Sequence, residues 1–163
     1  DVVAAAHRHP PHGRGTVGMV QVFPNSRNVI PGRVKFSIDL RNSTDELVDA
    51  MAAEVKAFAD QVAKEHGVQV HIEMVSSYPA QLFQPECVEA VGRAAAKLGY
   101  SHMPAVSGAG HDAVYMAKLA PSGMIFIPCK DGISHNEIED AKPEHIEAGC
   151  NVLLHAMLER AGT

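Results

Sequence analysis

TVGMVQVFPNSRNVIPGRVKFSIDLRN, residues 16–42, decides how the first half of the chain is read. Residues 16–23 are rich in β-formers, and PNSRNVIPG is turn material. Val34, Phe36, Ile38 and Leu40 then alternate with Lys35, Ser37, Asp39 and Arg41. A period of two puts each set on its own face of a strand, so the stretch predicts an antiparallel pair with one face in a core and a polar face left available.

Downstream, Ser43 and Glu46 have capping-box spacing, and Leu47, Met51, Val55, Phe58 and Val62 recur at helical intervals until Gly67. This predicts an amphipathic helix closed by a glycine cap. Val68, Val70, Ile72 and Met74 next alternate with Gln69, His71 and Glu73, which predicts a third, half-exposed strand. The order β-β-α-β is most of a split-βαβ, ferredoxin-like domain. The helix-strand pair that would complete it is represented only by a short helix expected at residues 2–6, with RHPPHGRG (residues 8–15) as a loop.

Pro79 and Pro85 change the texture, and a domain boundary is expected near Ser77, dividing the chain into 1–77 and 78–163. A helix begins at Pro85, with Val88, Val91, Ala95 and Leu98 on one face. A strand end at residues 105–110, a short helix at 111–120, a strand at 124–128 and a closing helix at 143–160 follow. Alternating strands and helices place the whole in the α/β class.

The 163 residues are 46% hydrophobic and 20% charged, a globular composition. Fourteen Lys and Arg against nineteen Asp and Glu leave a charge of −5, the wrong sign for holding nucleic acid or an anionic membrane. Cys87, Cys129 and Cys150 form no C-x-x-C pair, which argues for a reducing compartment, and a cytoplasmic location is expected. No apolar run approaches the ~20 residues of a membrane helix, and the start lacks a signal-peptide pattern. The sequence opens on Asp1 with an uncapped helical stretch, so further sequence is expected upstream.

Three constellations carry chemistry. Ser107-Gly-Ala-Gly110-His111-Asp112 leads glycines into a helix start, either an anion site or a tight turn. A Ser107–His111–Asp112 triad is excluded, because triad members meet in space and not along one turn. The loop from Cys129 to Glu139 places His135 among Glu137, Glu139 and Asp140, where it is either a ligand for a divalent metal such as zinc or a polar loop residue. On the hairpin, Asn28 and Arg41 offer an amide and a guanidinium fork to a carboxylate, unless Arg41 is solvated or paired with Asp39 or Asp45. His7, His9 and His12 lie in a Pro-rich loop that cannot fix metal geometry.

Taken together, residues 16–42, SGAGHDA (residues 107–113) and MIFIPCKDGISHNEIE (residues 124–139) resemble the metal-dependent amidohydrolases that include N-carbamoyl-L-amino-acid hydrolase, β-ureidopropionase and allantoate amidohydrolase. The resemblance runs from about Thr16 to Gly162. It implies a catalytic α/β domain carrying an inserted lid and dimerisation domain, a homodimer formed through that lid, and a small ureido acid as substrate. It further implies two divalent metals (zinc, manganese, cobalt or nickel), with His135 matching the last ligand. Asn28 and Arg41 match lid residues that bind the substrate carboxylate, and Gly110 and His111 match a substrate-contacting turn. The family's H-x-D pair, its other metal ligands and its general-base glutamate have no counterpart in this sequence and are expected upstream of Asp1, so no catalytic residue is assigned within the chain. An aminoacylase or peptidase of the same clan, or a non-catalytic binding or dimerisation module, are the alternatives.

Overall fold

The computed structural model describes residues 1–162, which divide into two compact units. The first comprises Asp1–Ala80 together with Val106–Gly108; the second comprises Gln81–Ala105 and the chain from Ala109 onward.

The first unit opens with α1 (Val2–Arg8), followed by β1 (Arg14–Thr16), β2 (Val20–Phe23), β3 (Arg33–Phe36), β4 (Asp39–Arg41) and α2 (Asp45–His66). β2 pairs antiparallel with β3 in the register Val20↔Phe36, and β1 pairs with β4 in the register Thr16↔Asp39. The expected hairpin is therefore present but broken into two short ladders. Residues 17–19 lie opposite residues 37–38, with Ser37 N–H donating to Met19 O at 3.1 Å, so the first strand carries one residue more than the second. This is the count of a β-bulge, and it shifts the register by one below the break.

α1 packs on β1, and α2 packs on β4. Val2, Ala5 and Val55 form a buried cluster with Leu40 against it, and Met51 is fully buried. The close approach requires Gly15: a Cβ there would stand 2.7 Å from Val2 O. At the rim, Arg8 Nε donates to Glu54 Oε2 at 2.9 Å, and His9 Nε2 lies 2.8 Å from Glu54 Oε1. These bonds, His9's first, hold the Glu54 carboxyl below the usual carboxylate range.

α2 forms as its periodicity predicts, ending on Gly67 in the left-handed conformation (φ 64°). Its cap is Thr44 and not Ser43: Thr44 Oγ1 accepts from Leu47 N–H at 3.4 Å, while Ser43 N–H is taken by Asn42 Oδ1 at 2.8 Å. Two further expectations are corrected. Of the apolar set on the second strand only Leu40 packs against the buried cluster, and Val34 and Phe36 remain 48% and 51% exposed, because the helices pack mainly against β1 and β4. Residues 68–74 carry no ladder, since an alternating sequence becomes a strand only with a hydrogen-bonded neighbour and none among the described residues supplies one.

In the second unit α3 (Pro85–Lys97) and α5 (Pro143–Ala161) pack through Ala90, Ala94 and Ala95 against Val152 and Ala156. Small side chains let the helix axes approach closely, and Arg93 clamps the pair by donating to Glu159 Oε1 at 2.6 and 3.1 Å. α4 is short (Ala113–Ala117), and Lys130–Gly132 forms a single 3-10 turn. The strands expected at 105–110 and 124–128 are not formed among the described residues, for the same want of a ladder partner. No helix of the described residues is long and apolar enough to cross a membrane.

Candidate functional site

Arg41 ends β4, and Asp39 two residues earlier projects to the same side of the strand. Arg41 Nε donates to Asp39 Oδ1 at 2.7 Å and Nη2 to Oδ2 at 3.2 Å, a bidentate pair. Arg41 Nη1 donates to Gly108 O at 2.8 Å. The hydrogen bond to Asp39, followed by its charge, pushes the Arg41 pKa up, so the guanidinium is a permanent cation held in one plane. Of the alternatives open at this residue, the structure shows the Asp39 pair, which aims the remaining N–H groups without occupying them.

These groups border a pocket of about 90 Å³ lined by His12, Arg14, Arg41, Asn42, Val106, Ser107 and Gly108. Asn42 ties it to the core beneath, donating to His9 O at 3.3 Å and lying 3.6 Å from Met51 Sδ. Arg14 stands opposite Arg41 in the β1–β4 register and donates through Nη1 to Pro11 O (3.1 Å) and Gly13 O (2.9 Å). A cleft of this size, with guanidinium and amide donors and an exposed turn backbone, is suited to the carboxylate end of a small acid.

Asn28, Gly110, His111 and His135 are not among the residues that line this pocket. Asn28 sits in the turn between β2 and β3, its Oδ1 accepting from Ser26 Oγ at 2.8 Å. From Arg33 at the turn to Arg41 at the far end of the hairpin the second strand advances eight residue steps, ~25 Å at strand rise, so one copy of the hairpin does not bring Asn28 and Arg41 to the same ligand. Gly110 and His111 belong to the second unit, where the His111 ring meets Phe126 edge-on with centroids 5.6 Å apart.

His135 occupies the loop between the 3-10 turn and α5, which Lys130 N–H closes by donating to Asp140 O at 2.7 Å. Its backbone is left-handed (φ 57°), as is that of Asp131 (φ 54°), and its N–H donates to Glu139 Oε2 at 2.9 Å. Non-glycine residues at positive φ are costly and cluster at functional segments. Yet no group of three or more His, Cys, Asp or Glu side chains suited to a metal ion occurs among the described residues. The described residues therefore do not supply a di-metal centre on their own.

Sequence reasoning gives no role to Arg14 or Asn42, and it weighs His12 only with His7 and His9 as a metal cluster, not as part of a pocket with Arg41. The stretch RHPPHGRG reads as a loop through Arg14, and only the bulge reveals its position: continuing the β2–β3 register would put Gly15, not Arg14, opposite Arg41.

Residues 1–159 match the family model described as Peptidase family M20/M25/M40. The chain belongs to that family. An N-carbamoyl-L-amino-acid amidohydrolase of Rhizobium meliloti is 47% identical to this M20/M25/M40 chain over 160 residues, covering 98% of the chain and 38% of the relative. A ureidoglycolate hydrolase of Arabidopsis thaliana is 33% identical over 140 residues, covering 85% and 29%. The crystal structure of a hydantoinase/carbamoylase family amidase from Burkholderia multivorans superposes with a TM-score of 0.93 at 52% identity, over 98% of this chain and 39% of that one. The chain thus spans well under half the length of the proteins it matches.

Proposed function

We propose that this chain serves, as part of an M20/M25/M40 amidohydrolase, the hydrolysis of the ureido C–N bond of an N-carbamoyl-L-amino acid or a related ureido acid. The observation that carries the reading is Arg41, held bidentately by Asp39 at the mouth of a small pocket, in a chain whose relatives are named for ureido substrates. Such a substrate has a carboxylate at one end and the scissile carbamoyl group at the other. Addition of water and cleavage of the C–N bond release the amine, ammonia and carbon dioxide. The part that falls to this chain's own residues is binding: the remaining N–H groups of Arg41 take the carboxylate and so fix the distance and direction of the ureido carbon.

In this reading the first unit is a lid of split-βαβ type through which two copies of the enzyme associate. The separation of Asn28 from Arg41 along one hairpin supports the dimer, because both act on one carboxylate only if two copies supply them.

The test joins this chain to the portion of the Rhizobium meliloti relative that it does not span. The fusion is expected to hydrolyse N-carbamoyl-L-alanine in preference to N-acetyl-L-alanine. Preference for the acetyl substrate would make it an aminoacylase and overturn the assignment.

A further inference from the structure

The β1–β4 ladder places two arginines directly opposite each other, Arg14↔Arg41. Directly opposed residues of an antiparallel pair share a face, and like charges in that position are destabilising. The two are not equally compensated. Arg41 is neutralised by Asp39, at 2.7 Å. Arg14 pairs with no carboxylate among the described residues, and its bonds go to the carbonyls of Pro11 and Gly13. Both residues line the same pocket, together with His12, Ser107 and Gly108. Among Arg14, Arg41 and Asp39 one positive charge is left uncompensated, and it belongs to Arg14.

We infer that Arg14 is a second carboxylate-binding residue, sharing with Arg41 one carboxylate of a small mono-anionic acid and supplying the net charge of the subsite. The inference rests on the reading of Arg41 as a carboxylate contact and goes beyond it. Two facts make the arrangement more than an accident of a basic surface. The opposition exists only because the bulge at residues 17–19 displaces Gly15 from the place across from Arg41. In addition, the bonds of Arg14 to Pro11 and Gly13 use Nη1 alone, which leaves Nε and Nη2 for a ligand while fixing the plane of the fork. A local rule broken in this way is characteristic of a binding site, where the ligand supplies the missing charge. The charge count selects a single carboxylate, since a dicarboxylate would leave an excess negative charge in the pocket.

The arginine Nε–H resonances of the 163-residue chain, followed by heteronuclear NMR, provide the test, with N-carbamoyl-L-alanine and its uncharged carboxamide as probes. The carboxylate is expected to shift the Nε–H signals of both Arg14 and Arg41, and the carboxamide neither. Arg14→Gln should weaken carboxylate binding by about tenfold, and Arg14→Lys by less, with the backbone amide pattern of Leu40 and Val55 unchanged. If the carboxylate moves Arg41 alone and Arg14→Gln binds as tightly as the parent, Arg14 is a clamp on the 11–13 turn and the inference falls while the reading of Arg41 stands. If the carboxamide binds equally well, or neither arginine responds, the carboxylate reading of Arg41 falls as well. Equal displacement by inorganic phosphate would show a general anion site and overturn the proposal.

Discussion

Arg41 illustrates how a single side chain is prepared for recognition. Asp39 occupies one edge of its guanidinium in two bonds and Gly108 O takes Nη1, so the plane is set before a ligand arrives. Lysine keeps the charge but cannot reproduce the fork. Arg41→Lys in the fusion with the Rhizobium meliloti portion is therefore expected to lower kcat/KM by about tenfold or more, with an unchanged thermal midpoint; parent-like kinetics would count against the carboxylate role. Glu54 gives a pH-dependent counterpart. Its carboxyl is held below the usual range by His9 and Arg8, so the stability it contributes is present above the ordinary carboxylate pKa of about 4.3 and is lost as pH falls through the lower folded value. Thermal midpoints measured from pH 6 down to about pH 3 should fall more steeply for the parent than for Glu54→Gln, which lacks the titrating group. Parallel curves would mean that the clasp between α1 and α2 contributes nothing.

At the scale of elements, α2 is the support on which the first unit is assembled. Its inner face carries Met51 and Val55 to the core, and Asn42, which lines the pocket, rests against Met51 Sδ at 3.6 Å. Truncating a fully buried methionine costs about 2–5 kcal/mol, whereas losing an N-cap hydroxyl costs ~1 kcal/mol. Met51→Ala should therefore lower stability to chemical denaturation several times more than Thr44→Ala, and it should also loosen carboxylate binding through Asn42, which Thr44→Ala should not. Equal losses in the two variants would place the core of this unit elsewhere. In the second unit the Ala90, Ala94 and Ala95 face of α3 packs against Val152 and Ala156 of α5.

Over the whole chain, much apolar surface lies open among the described residues. Val20, Val34 and Phe36 on the hairpin are 58%, 48% and 51% exposed, and on α5 Leu153, Leu154 and Met157 are 50%, 55% and 62% exposed. Surface of this extent favours association. Sedimentation velocity on the 163-residue chain is expected to show concentration-dependent association, and a monomer at all concentrations would refute it. Because the described residues contain no metal-sized donor cluster, the same preparation is expected to retain no stoichiometric zinc or manganese after dialysis and to leave N-carbamoyl-L-alanine intact. Retention of two ions per chain, read by elemental analysis, would contradict this.

The helices were legible in the sequence because their hydrogen bonds are local. The period through Leu47, Met51 and Val55, with Gly67 behind it, specifies α2 without reference to any other segment, and Pro85 and Pro143 likewise mark the starts of α3 and α5. Family membership was equally legible, since three long motifs in fixed order carry more information than any single residue. Strands are different, because their bonds are made to a neighbour that local sequence does not name. Residues 68–74 and 124–128 have the composition of strands and no ladder, and residues 16–23, read as one strand, divide at a bulge. Tertiary structure alone decided that register, and with it the opposition of Arg14 to Arg41 and the distance of Asn28 from both. A one-residue shift in a ladder costs nothing that composition records, yet it determines which side chains share a face.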